Sequence, residues 1–408
     1  MSQLRSSDHV IVVGAGLAGW RFVESLRAEG FQGAITLVGD EPYAPYDRPP
    51  LSKQVLTGKW EVEEATLASP QQLAESGATL RLGVRANQLD VEATSVRLAD
   101  DSLLVGTHVV LATGSRARPL SFAASGALAT LRNRDDLVHL DGVIGSLGPG
   151  SAAAVIGGGF VGAEVATSMK ARGLTPIVLE AAERPLIAAL GEEASTWLLP
   201  LAANAEVELR TNQRLDDVRK VNRGFILDFD DGTDLPAKMV LAAVGSSLDL
   251  GWLANSGLTL DDGVVVDRDL QAAPQVAAIG DVARFVLRSA IGDEAIRVEH
   301  WQIATEHAGE LAHFWMSGER ASHVMVPYFW SDQYGEKIQM LGHPHPSDEV
   351  VIVSGSPEEG RWLALYSRDR LISGVLSLSH PRHLALAKPL LESPIALDDA
   401  LRRAPWLA

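Results

Sequence analysis

The stretch DHVIVVGAGLAGWRFVESLRAEG, beginning at Asp8, constrains the chain more than any other. A continuous β-branched run enters a glycine turn, and apolar residues at helical spacing follow, which is the order strand, turn, helix. GAITLVGD then supplies a second short strand. The same order returns about 143 residues on, in GSAAAVIGGGFVGAEVATSMKARG followed by LTPIVLEAAERP. A chain that writes this unit twice is expected to build two βαβ folds of parallel strands and to hold two nucleotide sites.

Each glycine in the fingerprint answers a physical need. In the first copy Gly14 permits the tight turn, Gly16 lets backbone approach a pyrophosphate, and Gly19 lets the helix pack closely on the strand. The acidic residue expected about 20 residues further on falls near Gly39 and Asp40; Gly39 fills the strand-end slot, so Asp40 becomes the candidate one residue later. Its alternative role is a solvated turn aspartate. The second copy carries Gly157, Gly159 and Gly162, with Glu180 ending the strand PIVLE where the template places it. A carboxylate there accepts from both hydroxyls of an adenosine ribose and repels a 2′-phosphate, which predicts NADH rather than NADPH. Arg184 follows closely, either as a helper for a 2′-phosphate or as a surface residue.

Between the copies, SVRLADDSLLVGTHVVLATGSRARP reads as a hairpin and then a buried strand ending in Ala112, Thr113 and Gly114. The second copy closes similarly, with FILDFDDGTDLPAKMVLAAVGSS giving strand, turn, strand and an apolar run that stops at Gly245. A later strand breaks at Gly280 and Asp281. From about Val324 the text changes to WSDQYGEKIQMLG and EVVIVSG, which read as antiparallel strands of a third domain. The segment PYDRPPLSK at 45–53 fits neither a helix nor an interior strand, because its three prolines fix φ and remove backbone donors. A stiff loop bearing Arg48 and Lys53 is suited to positioning something.

Composition then excludes whole classes of function. A net charge of −17 with no long Lys/Arg run argues against nucleic acid as a partner. Cysteine is absent, which removes disulfides, thiolate zinc, cysteine-ligated clusters and thiol redox chemistry from this chain. His343 and His345 have no carboxylate or cysteine at metal spacing, so no metal site is expected. No run approaches the roughly 18 apolar residues of a membrane span, and the first residues lack a signal sequence, so a cytoplasmic protein is expected with no membrane association.

The paired fingerprints, LATG before the second copy, AIGD late in the chain, WSDQ at 330–333 and above all PYDRPPLSK together resemble one family over essentially the full length. It is that of the FAD-dependent, NADH-dependent ferredoxin reductases of bacterial aromatic-ring dioxygenase and P450 systems. These are glutathione-reductase-like flavoproteins that include the toluene, biphenyl and putidaredoxin reductase components. The resemblance implies an α/β fold with two Rossmann-like dinucleotide-binding domains and a C-terminal α+β domain. It implies an FAD-binding domain at 1–115 and 242–322, an NAD-binding domain at 116–241 and a C-terminal domain at 323–408.

The resemblance also implies roles. Gly14, Gly16, Ala18 and Gly19 would line the FAD pyrophosphate, with Asp40 at the adenosine end and Ala86 a backbone contact to adenine; Thr113 and Gly114 end the strand beside them. Arg48 and Lys53 would be held against FAD by the stiff loop, Lys53 close to the isoalloxazine where reduction accumulates negative charge. Asp281 would accept from ribityl hydroxyls, and Arg132 and Trp301 fall where members of the family touch FAD. Glu164 falls where relatives place a carboxylate beside the nicotinamide; the plainer alternatives are a solvent-facing helix glutamate and, for Lys53, a surface lysine. Trp330 either packs the C-terminal domain or mediates electron exit.

The activity implied is transfer of hydride from NADH to FAD and of single electrons to a separate [2Fe–2S] ferredoxin that feeds a terminal oxygenase. Having no thiol, the chain cannot follow the relatives that reduce disulfides, and must hand electrons outward. Ferredoxins are acidic, so a local docking patch is expected, with Lys337, Arg382 and Lys388 as candidates by position. Alternatives that keep the fold are reduction of a rubredoxin, quinone or small radical, and an apoptosis-inducing-factor-like flavoprotein that responds to NADH.

Overall fold

A computed structural model describes residues 3–122 and 124–403. It contains two compact units, each assembled from three stretches of chain. The first comprises Met1–Asp47, Thr66–Arg116 and Leu248–Tyr328, and the second Arg48–Ala65, Ala117–Ser247 and Phe329–Ala408.

The first unit is organised by the strand His9–Val13, whose last four residues are buried. It pairs in parallel with Ala34–Gly39 on one side and His108–Leu111 on the other. Thr79–Leu82 and Val276–Ala278 extend the parallel sheet at its two sides, and Gln271–Ala273 adds an antiparallel edge, giving six strands. Parallel strands need both faces covered, which is why they read as unbroken Val/Ile/Leu runs rather than as alternations. The glycine turn delivers the chain into the helix Leu17–Ala28, whose Trp20, Phe22, Val23 and Leu26 join the core. The expected hairpin forms between Ser95–Leu98 and Leu103–Val105, with Asp101 at positive φ in its turn.

The second unit repeats the plan in four parallel strands ordered Glu208–Arg210, Thr175–Leu179, Ala152–Ile156 and Met239–Ala242. The Asp-Asp-Gly turn joins Gly224–Phe229 to Asp234–Ala237 in an antiparallel pair, as its sequence requires. The C-terminal stretch forms a five-stranded sheet in the order Tyr328–Gln333, Glu336–Gly342, Leu371–Leu378, Arg361–Arg368 and Glu349–Ser356, with antiparallel pairs such as Ile338 with Leu378. Residues Arg48–Ala65, which carry Arg48 to Lys53 of the proline-rich loop, also fold in this second unit.

Candidate functional site

The two fingerprint loops adopt the same local structure. Gly14 (φ +118°) and Gly157 (φ +103°) sit in backbone that disfavours any side chain, and a Cβ there would overlap the carbonyl of Ala112 or of Ala243. Their N–H groups donate to Val38 O at 2.7 Å and Leu179 O at 2.8 Å, which ties each turn to the neighbouring strand. A Cβ on Gly19 or Gly162 would run into the carbonyl oxygen of Gly14 or Gly157, so helix and turn touch directly.

Gly16 and Gly159 differ from these four. Their backbones are extended, and a Cβ on either meets no atom within 4 Å, so nothing in the chain itself demands glycine there. Each is the N-cap of a helix, Leu17–Ala28 or Phe160–Ala171, with no capping side chain and no acid in the first turn. The helix Arg134–Gly145, by contrast, is capped by Asn133 and carries Asp135 and Asp136. Two helix N-termini with free amides, approached across a bare Cα, suit an anionic group lying against the backbone. The pyrophosphates of FAD and of NADH fit both cradles.

In the first unit the strand ends open into a cleft that brings together Gly14, Asp40, Ala86, Thr113 and Gly114. Gly39 is needed because its Cβ would lie 2.7 Å from the Cβ of Ala15, which moves the acidic position to Asp40. Asp40 does not stand alone in solvent: Arg116 donates to its carboxylate at 2.7 Å, and Arg116 and Arg85 both pair with Asp249. Arg85, Arg116, Asp249 and Trp252 line the same cleft. The sequence reading missed them; Arg85 adjoins Ala86 and Arg116 lies two residues beyond Gly114, whereas Asp249 carries no motif.

Elsewhere in this unit, Ala18 is buried and lies against Gly280, where a Cβ would approach to 3.0 Å. The turn Gly280–Val282 presents Asp281, to which Ser115 Oγ donates at 3.4 Å; Ser115 also donates to Glu299 at 2.9 Å. The Gly280 N–H donates to His307 Nδ1 at 3.3 Å. Complete burial, reinforced by the charge of Arg288, pushes the His307 imidazole down to about 3, so it is neutral with its proton on Nε2. Trp301 opens the helix Trp301–Ser317, and its Nε1–H donates to Asp47 at 2.8 Å.

In the second unit the proline-rich loop forms the short 3-10 turn Pro49–Ser52 and delivers Lys53 to Glu164. Lys53 Nζ lies 2.8 Å from Glu164 Oε2, and the two side chains are only 12% and 7% exposed. Neither faces solvent. Glu164 also accepts from Ser52 Oγ at 2.6 Å, Ser331 Oγ at 2.7 Å and the Asp332 N–H at 3.3 Å. A buried carboxylate needs such donors, and here they come from the loop and from the WSDQ strand. Ser52 and Ser331 were not singled out in the sequence. Arg48 donates to the Arg132 carbonyl at 2.8 Å, and the Arg132 N–H donates to Asp136 at 2.8 Å.

At the strand end, Glu180 accepts from the Gly158 N–H and the Ala182 N–H, each at 2.9 Å, so its carboxylate is fastened to the second fingerprint loop. Gly245 has positive φ and open space where a Cβ would stand. Trp330 is half-buried in the strand Tyr328–Gln333, and Lys337, Arg382 and Lys388 are exposed. The predicted residues thus divide. The first unit holds Gly14, Gly16, Ala18, Gly19, Asp40, Ala86, Thr113, Gly114, Asp281 and Trp301; the second holds Arg48, Lys53, Arg132, Gly157, Gly159, Gly162, Glu164, Glu180 and Gly245.

Comparison with known proteins adds to this geometry. Residues 8–308 match the family described as pyridine nucleotide-disulphide oxidoreductase, and residues 328–405 match the family described as reductase C-terminal. The ferredoxin reductase component of chlorobenzene dioxygenase from Cupriavidus sp. (strain PS12) is 33% identical over 406 residues, covering 97% of this chain and 95% of that protein. Rhodocoxin reductase of Rhodococcus erythropolis is 33% identical over 397 residues, covering 96% and 91%. Among solved structures, the covalent putidaredoxin reductase–putidaredoxin complex matches with a TM-score of 0.91 at 29% identity over 99% of each chain. The fold is that of the glutathione-reductase-like flavoproteins, with two dinucleotide-binding domains and a C-terminal domain. The chain belongs to the pyridine nucleotide-disulphide oxidoreductase family.

Proposed function

We propose that this protein is an NADH-dependent ferredoxin reductase that takes hydride from NADH and delivers single electrons to a separate [2Fe–2S] ferredoxin serving an oxygenase. The observation that carries the proposal is the pair of open middle glycines, Gly16 and Gly159, at uncapped helix N-termini in a chain without cysteine. When bound, FAD supplies the exchange between a two-electron donor and one-electron acceptors. Thiol chemistry is closed to this chain, so its electrons leave to an external carrier.

In this reading Gly14, Gly16, Ala18 and Gly19 hold the FAD pyrophosphate, and Asp40, Ala86, Thr113 and Gly114 hold its adenosine end. Asp281 and Trp301 are assigned to the flavin in the first unit, and the family resemblance assigns Arg48 and Arg132 to FAD as well. Gly157, Gly159, Gly162 and Gly245 receive NADH, with Glu180 reading its ribose hydroxyls. Lys53 keeps a positive charge where reduction accumulates negative charge, and Glu164 holds the ammonium in place through the 2.8 Å pair. Ser52, Ser331 and the Asp332 N–H orient that carboxylate. The domains assigned to these tasks are 1–115 with 242–322 for FAD, 116–241 for NADH and 323–408 at the C-terminus. Trp330 and the exposed Lys337, Arg382 and Lys388 are assigned to the exit side. No helix among the described residues is long and apolar enough to cross a membrane, and the protein is assigned to the cytoplasm with its ferredoxin.

The test mixes purified FAD-loaded protein, NADH, a [2Fe–2S] ferredoxin and cytochrome c. Reduction of cytochrome c that requires ferredoxin is expected; a rate independent of ferredoxin refutes the proposal.

A further inference from the structure

Arg184 raises a question that Glu180 alone does not answer. The segment after Glu180 turns back over the second fingerprint: a Cβ on Gly158 would lie 3.1 Å from Glu180 Oε2 and 3.2 Å from the Cβ of Pro185. Arg184, the residue before Pro185, is therefore rooted beside the glycine loop, with a reach of several ångströms from its backbone. A guanidinium so placed is the side chain best suited to a phosphate, because its planar fork makes paired charge-assisted bonds. A site meant to reject a 2′-phosphate must keep that fork occupied.

The structure shows it occupied. Arg184 Nη1 lies 3.0 Å from Glu192 Oε1 and Nη2 lies 3.0 Å from Glu183 Oε1, so both terminal nitrogens are engaged. The guanidinium side chain is 18% exposed, while its two partners are 64% and 73% exposed. Glu192 stands in the first turn of the helix Glu192–Leu198, where the helix dipole favours a carboxylate. The residue before it, Gly191, has φ +81° and backs onto the Pro346 carbonyl, which fixes where that helix begins. Glu180, Glu183 and Glu192 against Arg184 leave this neighbourhood two charges negative.

We propose that Glu183 and Glu192 form a clasp that withholds Arg184 from a nucleotide 2′-phosphate, acting as a second specificity device beside Glu180. The proposal rests on the reading of the second fingerprint as the NADH site. It assigns Glu183 and Glu192 as specificity-determining residues that need touch no nucleotide. Releasing the fork gives a 2′-phosphate a partner while leaving contacts to the unphosphorylated ribose as they were.

The experiment uses FAD-loaded protein, so that added nucleotide reports on the second fingerprint, and measures 5′-AMP and 2′,5′-ADP binding by calorimetry. These probes differ only by the 2′-phosphate. In the double variant Glu183→Gln/Glu192→Gln, affinity for 2′,5′-ADP relative to 5′-AMP should rise about tenfold, the scale of one charge-assisted bond. Adding Arg184→Ala should abolish the gain, and Glu206→Gln, which removes an exposed charge without touching the clasp, should leave the ratio unchanged. In turnover, KM for NADPH should fall while kcat and KM for NADH stay the same. A ratio unmoved in the double variant, a gain that survives Arg184→Ala, or an equal gain in Glu206→Gln overturns the clasp. Wild-type protein that fails to bind 5′-AMP overturns the nucleotide reading and the clasp with it, so the two failures are distinguishable.

Discussion

Replacing Gly16 with alanine separates what the fold needs from what a ligand needs. The Gly16 backbone is extended, at φ −84° and ψ −163°, and its Cβ position is empty to 4 Å. Alanine there reduces the freedom of the unfolded chain, worth about 0.4–1 kcal/mol in favour of folding. It is also a poorer N-cap than glycine by roughly half to one kcal/mol. These nearly cancel, so the apoprotein of Gly16→Ala should unfold within about 1 kcal/mol of wild type. The added methyl nonetheless stands between the helix amides and a pyrophosphate, and losing one or two charge-assisted bonds of about 1.5–3 kcal/mol each weakens FAD binding at least tenfold. Gly19→Ala is the structural counterpart: its Cβ would overlap the Gly14 carbonyl oxygen, so helix and turn must separate at a cost of about 1–3 kcal/mol with or without cofactor. Thermal unfolding of FAD-stripped proteins and fluorescence titration with FAD measure the two effects. If Gly16→Ala retained FAD as wild type does, or if its apoprotein were as unstable as that of Gly19→Ala, the argument that an external anion dictates this glycine would be wrong.

Other expectations follow from the buried polar groups. Lys53→Met strands the Glu164 carboxylate, and should cost stability near the low end of the about 3–5 kcal/mol typical of broken buried pairs, because Ser52, Ser331 and the Asp332 N–H still hold the acid. Adding Glu164→Gln should recover most of the loss in urea unfolding, and a purely additive double variant would mean that the pair is not coupled. Glu180→Ala should raise the efficiency with NADPH relative to NADH about tenfold or more, since it removes a carboxylate that repels a 2′-phosphate; steady-state kinetics with both nucleotides decides. His307 has a folded-state pKa depressed from 6.5 to about 3, so its contribution is complete above 6.5 and is lost as pH falls towards 3. Apoprotein stability should therefore decline by about 2 kcal/mol from this group between pH 6.5 and 5, and His307→Gln should flatten that slope. A slope unchanged by the substitution would place the titration elsewhere.

The doubled βαβ plan was readable because glycine spacing, β-branched runs and turn chemistry all act locally, and the C-terminal sheet announced itself by the change in its residues. Other features depend on residues distant in sequence. Glu164 could be read as facing solvent because one charged residue on a helix normally marks its wet side. The helix Phe160–Ala171, however, is buried on most of its faces, and its glutamate is satisfied by donors 112 and 167 residues away. Asp249 joins Arg85 and Arg116 at the cleft without any motif, since an ion pair leaves no periodic trace. Asp40 was placed by counting along the fingerprint; that Arg116 would hold it required the strand ends to be assembled first.

The stretch Arg48–Ala65 lies in the sequence between two pieces of the first unit but folds within the second. The chain therefore passes between units five times, and no cut of the polypeptide isolates either half intact. A chimera that borrowed only residues 117–247 and 329–408 would leave Glu164 without its ammonium and without Ser52, held by Ser331 and the Asp332 N–H alone. Recombination during evolution would have met the same obstacle, so the two halves are bound to be inherited together.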